Sequence, residues 1–231
     1  MKRFATVAGL VASLALAACT TSQTRSTTTN FARPPSGAPV VLIEPDVKLS
    51  ILTAVGAPER RADWSEAGQR HILTAISEAV SAKGYRTVVV DPDTMLGGQS
   101  GQVLRLFEQV GAAILTHHYG GFTLPSMQGR FDYTLGQGVR TLAGDSEAGY
   151  AVFVYAEGCF SSGGRMAVVM LAAVAGASLP TCQQQLVASL VSVETGEVVW
   201  FNFAIAGPAD DMREEAGART LVSAVFRDAP L

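Results

Sequence analysis

The apolar residues of this chain fall into blocks whose period changes along its length. Val40-Val41-Leu42-Ile43 is a short apolar run closed by Pro39 and Pro45, the pattern of a buried strand. Residues 47–53 read as a second extended piece. The period then becomes helical: Ile72, Ala75, Ile76, Ala79 and Val80 share one face, and Arg70, Ser77 and Glu78 fall on the other. Asp63 with Glu66 three residues on has the form of a capping box, and Lys83-Gly84 supplies a stop. Residues 85–90 are a β-branched strand ended by Asp91-Pro92-Asp93. After a Gly-rich turn, Val103, Leu104, Phe107 and Val110 line a second helical face that Gly111 closes, and residues 112–119 read as the next strand. Strand, helix, strand, helix, strand predicts crossover connections on a partly parallel sheet.

The pattern breaks over residues 120–149, where glycines and Pro125 interrupt every period. Residues 131–135 fit a short strand and 139–147 a short helix. A β-hairpin insertion is the simplest account, although a long excursion from a compact domain is often functional. A clear strand follows at 150–156. Residues 166–177 form a nearly all-apolar helix, too short to cross a bilayer, which has to bury itself against the sheet or against a partner. Residues 185–193 and 197–206 are two strands joined by the hairpin signal Glu194-Thr195-Gly196-Glu197, with Trp200, Phe201 and Phe203 as core positions. A last helix spans about 210–227. Asp210, Asp211, Glu214 and Glu215 sit at its positive end, and Ala218, Leu221, Val222, Val225 and Phe226 form its apolar stripe. Together these elements predict a single three-layer α/β domain over 39–231. It has a mixed sheet with helices on both faces and a C-terminal β-hairpin followed by a helix.

The N-terminus changes the picture. Lys2 and Arg3 precede an apolar run over residues 4–18, the build of a secretory signal peptide. Leu16-Ala17-Ala18-Cys19 closes that run and resembles a bacterial lipobox, which implies cleavage before Cys19 and lipidation of it. A spanning anchor wants about 20 strongly apolar residues. This run is shorter, is interrupted by Thr6, Gly9 and Ser13, and as an anchor would leave Cys19 unexplained. Thr20 in place of Asp after the cysteine resembles enterobacterial sorting to the outer membrane, with the domain facing the periplasm. Residues 19–38 are rich in Ser, Thr, Pro and Gly and read as a flexible tether. Phe31 is its one bulky residue, able to dock on a neighbour. The chain thus divides into signal peptide 1–18, lipidated tether 19–38 and periplasmic domain 39–231.

Charge and cysteines narrow the partners. Losing residues 1–18 takes Lys2 and Arg3 and no acid, so the net charge moves from −3 to −5. Without basic runs this excludes nucleic-acid binding, which needs clustered Lys or Arg. With Cys19 assigned to lipid, Cys159 and Cys182 remain. The oxidising compartment and the even count favour a disulfide over two free buried thiols or one reactive nucleophile.

Few residues point to catalysis. His117-His118-Tyr119 lies on the strand read at 112–119, where neighbours face opposite sides of a sheet, and His71 is the only other histidine. No metal site follows, because zinc needs three or four convergent ligands. Ser161-Ser162-Gly163-Gly164-Arg165 follows a strand and opens a helix, a place for anion or partner contact, or else a plain tight turn. It lacks the lysine of a phosphate loop, and no nucleophile elbow occurs. Asp91-Pro92-Asp93 reads as an Asx-type turn. No cofactor is implied.

The hairpin 188–200, Ala-Ser-Leu-Val-Ser-Val-Glu-Thr-Gly-Glu-Val-Val-Trp, with the lipobox, the Thr/Ser tether, the strand-helix-strand opening and the Gly-Gly helix after a strand, resembles the CsgG and LpoB-like group of periplasmic lipoproteins. The resemblance covers residues 39–228 in element order and implies a three-layer α/β fold and a non-enzymatic envelope role. The function expected is a membrane-anchored binding or assembly accessory in cell-envelope biogenesis or secretion. Its partner is an envelope protein or a second copy, met through residues 166–177 or 120–149. The alternatives are an oligomeric secretion-channel-like subunit and a periplasmic hydrolase using Cys159 or His118.

Overall fold

The structure, a computed structural model, describes residues 21–26, 31–207 and 209–231. Residues 1–18, read as a signal peptide, and Cys19 and Thr20, read as the lipidation site and its sorting neighbour, lie outside the described residues. In chain order the elements are β1 (Thr21–Ser26), β2 (Pro39–Ile43), β3 (Asp46–Leu52), β4 (Pro58–Arg60), α1 (Ala62–Ala82), β5 (Arg86–Val90), α2 (Gly98–Ile114), α3 (Arg140–Ala143), β6 (Tyr150–Ser161), α4 (Gly163–Val174), β7 (Gln184–Ser192), β8 (Val198–Ile205) and α5 (Glu215–Phe226).

The strands make one mixed sheet in the order β1-β8-β7-β6-β2-β5, with β3 and β4 branching off beside β6. β2 is parallel to both β5 and β6, as the crossover pattern predicts. Glu44-Pro45 splits the first extended region in two. β2 pairs with the start of β6 at Tyr150–Val152, and β3 pairs in parallel with its far half, from Asp46 opposite Tyr155 to Leu52 opposite Ser161. β6, β7 and β8 are antiparallel neighbours.

Both faces of the sheet are covered, which is why its central strands read as unbroken apolar runs. Side chains alternate across a strand. Val40 and Leu42 therefore join Leu49, Val154, Leu190 and Trp200 beneath α1 and α5. Val41 and Ile43 join Phe153, Val187 and Phe201 beneath α2, α3 and the stretch before β6. Burying each such side chain contributes roughly 1.5–3 kcal/mol.

Several elements differ from the sequence reading. Residues 112–119 are helical rather than a strand: α2 continues to Ile114 and a π-helical turn carries Leu115–Tyr119. Gly111 does not stop the helix. It is buried against the Tyr155 ring, and the stripe Val103, Phe107, Gly111, Ile114 stays in register with the core. α1 begins after Arg61 without a side-chain cap, and Asp63 pairs with Arg61 at 2.7 Å instead of closing a capping box. α5 starts at Glu215, because Asp210 and Asp211 serve the preceding turns. Asp210 Oδ2 accepts from Gly207 N at 2.7 Å, and Asp211 pairs with Arg213 at 2.7 Å.

No hairpin forms in 120–149. The segment has one bridge, Thr134 to Glu197, and lies over the β7–β8 turn, where Leu135 N donates to Gly196 O at 2.7 Å. Leu135, Val139 and Leu142 fill the core there. Part of the stretch read as flexible is also structured. Thr21–Ser26 pairs antiparallel with β8, and Phe31 docks on Tyr150 with ring centroids 5.2 Å apart.

Candidate functional site

β6 outruns its neighbour. The first residue of β7, Gln184, pairs with Gly158, so Cys159, Phe160 and Ser161 continue alone beside β3. α4 leaves from that overhang. Ser162 caps it by accepting from Arg165 N at 3.1 Å. Its far end closes as a Schellman motif: Gly176, at φ +78°, donates to Ala173 O and Ala177 donates to Ala172 O. The chain returns through residues 178–181 to Cys182, which forms a disulfide with Cys159. The bond fulfils the pairing expected from the even cysteine count and closes the base of the excursion. Cys159 N also donates to Gln183 O at 3.2 Å.

α4 does not pack on the sheet, contrary to one of the two burials its composition demands. None of its side chains belongs to either layer of the core. Leu171 is 71% and Val174 89% exposed, with Met166, Val168 and Met170 also exposed. Among the residues of α4 only Arg165 is buried. Its Nη2 donates to Pro180 O at 3.2 Å, and its guanidinium lies against the β3–β4 turn at Gly56. Within Ser161–Arg165, Ser162 and Arg165 thus serve internal bonds, while Gly163 and Gly164 are exposed. The β3–β4 turn adds Val55, 89% exposed, and Gly164 sits beside Ala54. Sequence reasoning missed that turn. The available signal was charge: residues 53–58 and 166–193 carry none.

A rigid base holds this end. The Arg213 guanidinium lies 3.6 Å from the Phe160 ring centroid and 4.6 Å from that of Trp64. Arg61 covers Trp64 at 4.2 Å, and Trp64 meets Phe160 edge-on at 5.3 Å. Burial pushes the Asp211 carboxyl up, but the Arg213 bonds outweigh it and hold the group below the ordinary carboxylate range.

A second concavity of about 880 Å³ opens where β2 and β5 end, beside α2. Asp91, Asp93, Asp46 and Glu108 line it with Lys48 and Arg105. Lys48 pairs with Asp46, and Asp91 Oδ1 accepts from Asp93 N at 2.8 Å, the Asx turn expected there. Burial, with Glu157 nearby, raises the Tyr155 phenol on its floor. Among the described residues no three of His, Cys, Asp and Glu are grouped as metal ligands. His117 and His118 lie on the π-helical turn, not on a strand. His117 Nδ1 donates to Phe122 O at 2.6 Å, and His118 packs edge-on against Phe131 and Tyr133. Cys159, bonded to Cys182, is not a resting nucleophile.

No protein-family model and no curated protein matches the chain. Among solved structures, the PelC dodecamer from Paraburkholderia phytofirmans is 12% identical over 92% of this chain and 96% of that one, with a TM-score of 0.41. A single-substitution variant of the same protein is 13% identical over 92% and 98%, with a TM-score of 0.42. Likenesses this distant carry no functional conclusion.

Proposed function

We propose that the protein is a non-catalytic binding or assembly accessory of the bacterial cell envelope, held at the outer membrane by lipid on Cys19 and facing the periplasm. The observation that carries this reading is the helix without charge after Arg165 that stands exposed at one end of the sheet, with a disulfide clasping its base. A chain does not leave Leu171 and Val174 in water without a contact for them. A structural disulfide fits an oxidising compartment, and the lipobox resemblance supplies the route to it. Two-dimensional confinement by the lipid raises the effective concentration of the domain at an envelope partner.

Crosslinking in intact cells, followed by gentle detergent extraction and native sizing, tests the role. A defined complex with a different envelope protein is expected. Species built only of this chain would move the assignment to an oligomeric, channel-like subunit. A clean monomer at high concentration contradicts both.

A further inference from the structure

The apolar end of the sheet and the start of the mature chain lie on the same side of the molecule. In the strand register Thr21 pairs with Ile205, Ile205 with Gln185, and Gln185 with Glu157. Thr21 therefore sits at the sheet end from which β6 runs on into α4. Three strand spacings, about 14 Å in all, separate β1 from β6. Cys19 precedes Thr21 by two residues, which span at most about 7 Å of extended chain. Cys19 is thus tethered within that reach of Thr21, at the sheet end from which α4 departs.

The geometry points to α4 as a second membrane contact, a helix that enters the outer part of the same lipid leaflet that holds the Cys19 acyl chains. This inference rests on the lipid anchor proposed above. The chemistry of the helix selects lipid over a protein groove. A helix that docks on a protein presents one apolar stripe and keeps a polar face. α4 has none beyond Arg165 at its foot: Met166, Val168, Met170, Leu171 and Val174 spread over more than half of its circumference, and the remaining side carries half-buried Val169 and Ala172. Ser162 takes up the Arg165 N–H at its start, and the Schellman bonds take up the Ala172 and Ala173 carbonyls at its far end, which lowers the cost of a hydrocarbon surround. Its 12 residues make about 18 Å of helix. That is enough for one leaflet of a hydrocarbon core about 30 Å thick, and too little to cross it. The adjacent Val55 turn carries no charge of its own; the buried Arg165 guanidinium lies against it at the helix foot, and Glu59 and Arg60 fall back along β4.

Leu171→Trp places an indole at a position already exposed, so folding is not at stake. The lipidated full-length chain is reconstituted into phosphatidylcholine and phosphatidylethanolamine vesicles with and without brominated acyl chains, with the unsubstituted chain subtracting the Trp64 and Trp200 signal. The intact mass of Cys19 is read on the same sample. Expected are an acylated Cys19 and an introduced indole that loses most of its emission to the bromines and none to aqueous iodide. An acylated chain whose indole answers to iodide overturns the helix contact and leaves the anchor standing. An indole shielded from both quenchers is covered by protein, a second copy or a partner, and overturns it as well. An unacylated chain with a bromine-quenched indole overturns the anchor and supports the helix contact.

Discussion

Asn202 shows how much a single buried side chain can tie together. It is fully buried on β8. Its Nδ2 donates to Val225 O of α5 at 2.5 Å, and its Oδ1 accepts from Ser22 Oγ of β1 at 3.1 Å. Asn202→Ala leaves a buried carbonyl without a donor, and a loss of about 2 kcal/mol in chemical denaturation is expected, with the folded spectrum unchanged. A loss near zero would mean water replaces the amide. At this scale the sequence was legible where a residue type has one use. Trp200 and Phe201 lie in the core, and Gly196, at φ +76°, makes the hairpin turn. It was illegible where long-range contact decides. Asp63 looks like a cap and is an ion-pair partner of Arg61. Nothing in the local sequence marks Gly217, yet a Cβ there would stand 2.3 Å from Asp211 O.

Among the elements, α1, the β7–β8 hairpin and the two first parallel strands follow from periodicity and turn chemistry, because their local preferences agree with their place in the fold. Residues 112–119 do not. A short apolar run with two β-branched residues reads equally as strand or helix, and the packing of Gly111 on Tyr155 settles it as helix. For α4 the composition was read correctly as an apolar helix needing cover. Its exposure was illegible because it depends on how far β6 outruns β7. The Cys159–Cys182 clasp belongs to the same element. It closes a separation of 23 residues, and replacing both cysteines with serine should cost about 3 kcal/mol in the chain-entropy account. The clasp-free variant should also be cut between residues 160 and 181 by limited proteolysis while the sheet stays intact. Unchanged stability together with unchanged protection would show that the clasp holds nothing.

As a whole the molecule is two-ended. One end of the sheet carries the β7–β8 turn with Glu194 and Glu197, Arg140 donating to Glu194 O at 2.9 Å, and Arg86 at the start of β5. The other carries α4, the Val55 turn and the start of β1, without a charge on α4 after Arg165. The fold class, the pairing of both faces with helices and the disulfide were legible from patterning and cysteine count. This polarity was not, since it arises only when the register brings Thr21, Ile205 and the end of β6 to one edge. It gives the lipid reading a physical sense, because the end that carries the uncharged helix is the end at which β1 begins. The most direct measurement is the intact mass of the chain recovered from the membrane fraction of cells that make it from its full sequence. The account predicts a mature chain that begins at Cys19 and carries acyl mass there. A chain that begins elsewhere, or an unmodified one released with the soluble periplasmic proteins, would contradict it.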